Sequence, residues 1–377
     1  MRRLPIAALC IACVLVLASA CKKKPNYNLT EGKPCSAEKY WNSGGGLGEI
    51  GETPEGIFAL TFDLDTLHVW KWVGSDLQLQ SSERVPPLVN VSVWKDNIYL
   101  AHRDADPNDE YSPWCFELAS TLPKRTIRTW EEPKGWNFSK TAISRNGKYA
   151  AVLVDIDVAK SLDEDVRLSI WELPGGSPCV TKWIRDSGSI TEVTVSNDGK
   201  YGAIIGIANG VAVFETSSGN LLWCSRPPSA GSCNAGRFTA DGASMVVGDS
   251  EGKVYELDSR SGRVKKTWDL AGSEAGTMEA RIECISLSPD DKWIGVMARP
   301  LGQAFLISRE QDKRPVVLKH GRGLWIVAFS PDSTTLATAG DGKIKFWKVS
   351  EQFPDSFPPT RQDTTKPASS GAETRGN

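Results

Sequence analysis

The stretch that decides the fold is GLWIVAFSPDSTTLATAGDGKIKFWKV, residues 323–349. An apolar run, Ile326, Val327, Ala328 and Phe329, stops at Ser330-Pro331-Asp332-Ser333, residues suited to a turn. A second run, Thr335 to Ala339, leads into Gly340-Asp341-Gly342, and a third closes on Phe346-Trp347. Three short β-forming runs joined by tight turns predict an antiparallel meander.

The segment resembles a WD40 repeat, which folds as one four-stranded blade of a β-propeller. His320, Thr338, Asp341 and Trp347 stand where that family places a buried, hydrogen-bonded tetrad. The resemblance implies a structural role for these four residues, since a buried indole N–H and an imidazole both need partners.

Weaker copies should recur at roughly 40–45 residues if each copy is a blade. Aligned on the end of the third strand, they are Leu67 to Trp70, Trp114 to Leu118, Leu168 to Leu173, Val211 to Glu215, Lys253 to Leu257, Ala304 to Ile307 and Lys345 to Trp347. A turn between first and second strands accompanies six of these seven: Lys95-Asp96-Asn97, Arg145-Asn146-Gly147, Asn197-Asp198-Gly199, Ala240-Asp241-Gly242, Pro289-Asp290-Asp291 and Pro331-Asp332-Ser333. The first copy lacks that turn, so Gly56 to Phe62 and Thr66 to Trp72 read as inner parts of an incomplete blade. No long 3.6-residue pattern occurs, which predicts very little helix. The expectation is an all-β, seven-bladed propeller over 55–350, built of four-stranded antiparallel blades. A segment between about Ala37 and Ile50 would pair with the last blade to close the ring.

The tails have their own logic. Arg2-Arg3, an apolar run from Ile6 to Ala18, and Ser19-Ala20 before Cys21 form a signal peptide over 1–20. Its end resembles a bacterial lipobox, with Ala18 where that box favours Leu. The resemblance implies lipidation of Cys21; ordinary secretory cleavage and an uncleaved anchor are the other readings. Lys22 at the following position, with no Asp there, favours the outer membrane. Lys22 to Lys24 either rest on anionic headgroups or begin a solvated linker. Residues 21–54 read as a tether rich in Gly, Pro, Asn and Ser, and 351–377 as a disordered tail.

The formal charge of -2 falls to about -4 without Arg2 and Arg3, and no basic stripe appears. Nucleic acid is therefore not an expected partner. Of nine cysteines, six lie beyond Cys21, an even number that suits disulfides in an oxidising compartment. Cys224 and Cys233 are the best-placed pair. Beyond Cys21 no two cysteines are spaced as CxxC, the sequence has no HExxH or GxSxG motif, and its three histidines fall on separate copies. No metal, cofactor or catalytic residue is expected, and the chain ends too soon after the last blade for a hydrolase domain.

Departures from a minimal blade are the candidates for function. The second-to-third-strand connection of the second copy is expanded through Asp104, Asp106, Asp109 and Glu110, and that of the third through Asp157, Asp163, Glu164 and Asp165. The WD40 resemblance implies that both emerge on one face and form a negative field suited to a protein partner or a cation. They also read as solvated loops that tolerate insertion. Asp104-x-Asp106-x-Asn108 starts like a calcium loop, but Asp109 stands where that loop needs Gly and Cys115 where it needs Glu, which excludes an EF-hand. Trp136 is a candidate partner anchor, while most of the fourteen tryptophans should be core. The function read from the chain is a noncatalytic, membrane-anchored protein-interaction scaffold. A small-molecule-binding or hydrolytic propeller of the lactonase or quinone type is the alternative.

Overall fold

A computed structural model describes the backbone of residues 46–353, apart from the connections 54–55, 64–65, 74–75, 85–87, 95–96, 104–113, 122–123, 132–135, 157–164, 174–177, 186–189, 207–209, 227, 229–230, 271–280, 300–301, 322, 331 and 341–342. Side chains are described from Lys140 onward, outside those gaps and outside 154–166, 174–189 and 343–344.

The described strands form successive antiparallel meanders. The first sheet contains β1 (Gly46–Thr53), β2 (Gly56–Asp63), β3 (Thr66–Val73) and β4 (Asp76–Arg84). The second contains β5 (Leu88–Trp94), β6 (Asn97–Arg103), β7 (Trp114–Thr121) and β8 (Lys124–Glu131), and the third β9 (Trp136–Ile143), β10 (Tyr149–Ile156), β11 (Asp165–Glu172) and β12 (Pro178–Arg185). The fourth contains β13 (Glu192–Val195), β14 (Tyr201–Ile205), β15 (Val211–Glu215) and β16 (Leu221–Ser225). The fifth contains β17 (Cys233–Phe238), β18 (Ser244–Asp249), β19 (Lys253–Asp258) and β20 (Val264–Asp269). The sixth contains β21 (Arg281–Leu287), β22 (Trp293–Arg299), β23 (Gln303–Ser308) and β24 (Val316–Lys319). The last has three described strands, β25 (Leu324–Phe329), β26 (Thr335–Gly340) and β27 (Lys343–Lys348), followed by the short helix α1 (Val349–Gln352).

All seven third-strand markers of the sequence fall on third strands, β3 through β27. The first strand of each sheet packs on the first strand of the next, and β25 and β26 also meet β1. Four apolar clusters lie between successive sheets from the third onward. Leu153, Leu168 and Ile170 meet Val193 and Ile204 between the third and fourth, and Ile205, Val211 and Val213 meet Phe238 and Tyr255 between the fourth and fifth. Val246 and Val254 meet Ile285 and Phe305 between the fifth and sixth, and Trp293 and Leu306 meet Phe329 and Leu336 between the sixth and last. Each such side chain removed from water contributes roughly 1.5–3 kcal/mol, so neighbouring sheets hold one another. The fit is close: a Cβ on Gly295 of β22 would lie 2.7 Å from Leu336 of the next sheet. Outer strands are wetter and charged, as in β20, where Lys265 and Lys266 guard the edge against pairing with another chain.

Two expectations are corrected. The segment between about Ala37 and Ile50, expected to complete the last sheet, is described only from Gly46, and Gly46–Thr53 pairs with β2 instead, so the first sheet has four strands. Thr53 pairs directly with Gly56 across a two-residue connection. Closing so short a loop costs far less entropy than pairing with a strand near the other end of the chain. The boundary at 350 also moves, because Val349 and Phe353 are buried and Phe353 lies against Trp293 with ring centroids 4.9 Å apart. Residues 1–45, including Cys21, and Pro354 to Asn377 lie outside the described residues. No helix among the described residues is long and apolar enough to cross a membrane.

Candidate functional site

The seam between the sixth and last sheets holds a buried polar unit. His320 follows β24 and is 3% exposed; its Nδ1 lies 2.8 Å from the Thr338 hydroxyl on β26, and its Nε2 lies 3.2 Å from the Gly340 carbonyl. Trp347 Nε1 donates to the same hydroxyl at 2.9 Å. A carbonyl only accepts, so Nε2 carries the proton, Thr338 donates to Nδ1, and its lone pair takes the indole N–H. The three side chains thereby form one hydrogen-bonded unit that joins β24, β26 and β27 across the seam. Asp341, the fourth expected member, lies outside the described residues. The fifth sheet has a related device that the sequence reading passed over: Asp249, fully buried, accepts from the N–H groups of Glu251 and Lys253 at 2.9 and 2.8 Å and from the Tyr255 hydroxyl at 3.2 Å. The Gly248-Asp249 dipeptide, matching Gly340-Asp341, is the signal that marks it.

The first-to-second-strand turns share one chemistry. In each of five sheets a Ser or Thr hydroxyl donates to an Asp or Asn two residues on: Ser144 to Asn146, Ser196 to Asp198, Thr239 to Asp241, Ser288 to Asp290 and Ser330 to Asp332, all between 2.6 and 2.8 Å. The next position is left-handed, taken by Gly147, Gly199 and Gly242, then by Asp291 at φ 58° and Ser333 at φ 62°. A left-handed non-glycine costs strain, and here it places a side chain that ties sheets together. Ser333 Oγ accepts from Asp290 N–H at 3.1 Å, and Asp291 accepts from Ala240 N–H and from Arg145, both at 2.6 Å. Asn146 bonds Asn197, whose Nδ2 donates to the Ala240 carbonyl at 3.0 Å. Turns of the third, fourth, fifth and sixth sheets are thus linked in a closed circuit, with the sixth joined to the last. The Thr239 hydroxyl, then the Ala243 N–H, hold the Asp241 carboxyl below its ordinary value. Burial raises Asp332, but donors from Ser330 and Thr334 outweigh it and the net shift is downward.

At the opposite end of the strands the first strands carry bulges. Register skips leave Gly48, Val89, Ser139, Asn234, Glu283 and Trp325 unpaired on β1, β5, β9, β17, β21 and β25. A bulge re-aims its side chain, and bulges concentrate beside functional sites. Trp325 is 62% exposed, and the Arg299 guanidinium lies over its ring, 3.9 Å from the centroid. Glu283 pairs with Arg299 Nε at 3.0 Å and with Arg281 Nε at 3.5 Å. Among the described residues no group of His, Cys, Asp and Glu could hold a metal ion.

The expected site residues fare unevenly. Trp136 opens β9 and Asp165 opens β11, on the bulged end of the third sheet, with their side chains outside the description. Asp104, Asp106, Asp109, Glu110, Asp157, Asp163 and Glu164 lie outside the described residues. The Cys224–Cys233 disulfide is corrected: both thiols are free. Cys224 lies exposed on the outer strand β16, opposite Ala212. Cys233 is buried on β17, a first strand that packs against β13 and β14. Burial, helped by the Asp249 carboxylate, pushes the Cys233 thiol up to about 12.

Residues 314–348 match the family model described as WD domain, G-beta repeat. That segment spans β24 and all three strands of the last sheet, so the repeat straddles the seam that His320 and Thr338 join. The chain is also 34% identical over 113 residues to the meiotic recombination protein rec14 of Schizosaccharomyces pombe. The similarity covers 30% of this chain and 35% of the relative, so the chain spans about a third of that protein's length. Both findings support the WD40 family, whose repeats generally mediate contacts between proteins.

Proposed function

We propose that the chain is a seven-bladed WD40-like propeller acting as a noncatalytic protein-interaction platform, held in the bacterial cell envelope by lipid on Cys21. Seven third-strand markers, seven meanders and the packing of β25 on β1 support a closed ring with first strands around its axis. The observation that carries the platform reading is Trp325, a large aromatic left exposed on a first strand and steadied by an arginine. In a ring, its end of the strands is the end that bears the acidic connections around Asp104 to Glu110 and Asp157 to Asp165. One face would then collect an aromatic anchor and two charged loops, the composition of a binding surface.

The hydrolytic or small-molecule alternative needs an accessible channel. In a seven-membered ring Arg145 of the third blade would reach Asp291 of the sixth across the axis, which obstructs one end. Meiotic recombination is not carried over from the relative, because the similarity is confined to a third of its length and this chain lacks a basic stripe. The signal-like run before Cys21, with Lys22 following, supports the outer membrane. Two or more acyl chains would make attachment lasting, at about 0.8 kcal/mol per buried methylene.

The test is cross-linking in intact cells, affinity capture and mass spectrometry, comparing wild type with a variant carrying Asn at Asp104, Asp106, Asp163 and Asp165. A defined partner lost from the variant supports the platform and its face; no specific partner with either protein contradicts it. For the anchor, Cys21→Ala should move the protein from the membrane to the soluble fraction, and an unchanged membrane fraction contradicts lipidation.

A further inference from the structure

We infer that the bulged end of the fifth to seventh sheets is a recognition site for an acidic segment of a partner protein, with a carboxylate held by Arg299 and an adjacent apolar side chain resting on Trp325. The inference rests on the platform reading and gives that surface its partner chemistry. Three features converge. Arg299 is fixed on two sides, by its stack on Trp325 and by Nε on Glu283, so its planar guanidinium is oriented before any ligand arrives. The edge bearing its two terminal nitrogens has no hydrogen-bond partner among the described residues. A fixed guanidinium edge matches a carboxylate with two parallel N–H···O bonds, and little side-chain entropy remains to be lost.

Charge points the same way. Arg281 and Arg299 face one carboxylate, Glu283, whose two oxygens are both engaged, so the cluster carries a net positive charge and offers donors rather than acceptors. Asn234 holds the same bulge position on the neighbouring first strand, is 8% exposed, and its Nδ2 has no acceptor. An acceptor brought by a partner would satisfy a donor that is otherwise buried unpaired. Trp325 supplies the apolar component, because a rigid ring with two torsions buries much area at low entropic cost.

The experiment pans a phage-displayed random dodecapeptide library against the immobilised full-length protein, then measures a selected peptide on variants by fluorescence polarisation. Enriched peptides should carry Asp or Glu beside an apolar residue. Affinity should fall at least tenfold in Trp325→Ala and in Arg299→Glu, and several-fold in Arg299→Lys, which keeps the charge but not the planar fork. Unchanged thermal unfolding of these surface variants excludes misfolding as the cause. Enriched peptides without acidic residues, or affinities unaltered in all three variants, overturn the site while leaving the platform standing. No enrichment overturns the site, and only the additional absence of cross-linked partners in cells would remove the platform reading.

Discussion

Arg145 and Asp291 stand 146 positions apart in the chain, yet their side chains meet at 2.6 Å and Arg145 also bonds the Ser288 carbonyl at 2.6 Å. Both are largely shielded, with side chains 27% and 18% exposed. The pair joins turns of the third and sixth sheets, and no local pairing rule requires it.

Arg145→Ala should therefore destabilise the protein by about 1–3 kcal/mol, the cost of leaving a partly buried charged acceptor unmatched. Asp291→Ala should cost at least as much, since it also strips the Ala240 N–H of its acceptor and keeps a left-handed non-glycine. Asp291→Gly should cost less than Asp291→Ala because glycine accepts φ 58° without strain. In urea unfolding the double alanine variant should lose less than the sum of the singles; strict additivity would show that the pair does not interact.

The seam unit makes a second prediction. Thr338→Val keeps shape but leaves the Trp347 indole and His320 Nδ1 without their shared partner, at about 1–3 kcal/mol. Trp347→Ala should cost about 3–5 kcal/mol through lost volume. Gly340→Ala would put a Cβ 1.9 Å from the Gly323 carbonyl oxygen, so the backbone must shift. Thermal shifts near zero for Thr338→Val would mean that the three residues do not share one hydrogen-bonded unit.

Legibility in the sequence divides along physical lines. The third strands were readable because their apolar ends recur at blade spacing, and the Ser/Thr-x-Asx turns because their hydrogen bonds are local. The first sheet was misread because Gly44 to Gly48 obscures the start of β1, and its hairpin lacks the Asp-Gly signature of the others. Trp325 was missed because Leu324 to Phe329 reads as one apolar run. The bulge between Leu324 and Ile326 shifts the alternation there and turns the tryptophan outward, and a bulge leaves no trace in a hydrophobic pattern. The Arg145–Asp291 contact was invisible for a further reason: it depends on how sheets are arranged around one another.

Acid should loosen the turns. Asp198, Asp241 and Asp332 each have folded-state values lowered by turn donors, and Glu256 is lowered because the bond and charge of Arg309 outweigh its burial. A lowered folded-state value gives stability that is complete above the ordinary carboxylate range, near 4, and lost as pH falls through the folded-state values. Melting temperature should thus be flat between about pH 5 and 7 and fall below about pH 4. Asp241→Asn should shallow that fall, and an unchanged slope would show that Asp241 ionisation does not contribute.

Thiol reactivity tests the cysteine assignment. Native protein treated with iodoacetamide at neutral pH should be alkylated at exposed Cys224 and spared at Cys233, whose thiolate is suppressed by burial. Denaturation without reductant should release Cys233 to the reagent. A Cys224–Cys233 bridged peptide in the unreduced digest would contradict the free-thiol arrangement.

The most direct measurement of the platform is photo-cross-linking in intact cells with p-benzoylphenylalanine installed in place of Trp325, against the same label in place of Val264. Val264 is also exposed, at 42%, but lies on the outer strand β20. A discrete adduct with a protein partner at 325 and none at 264 is the predicted result. No adduct at 325, or the same adducts at both positions, would contradict a specific binding face built around Trp325.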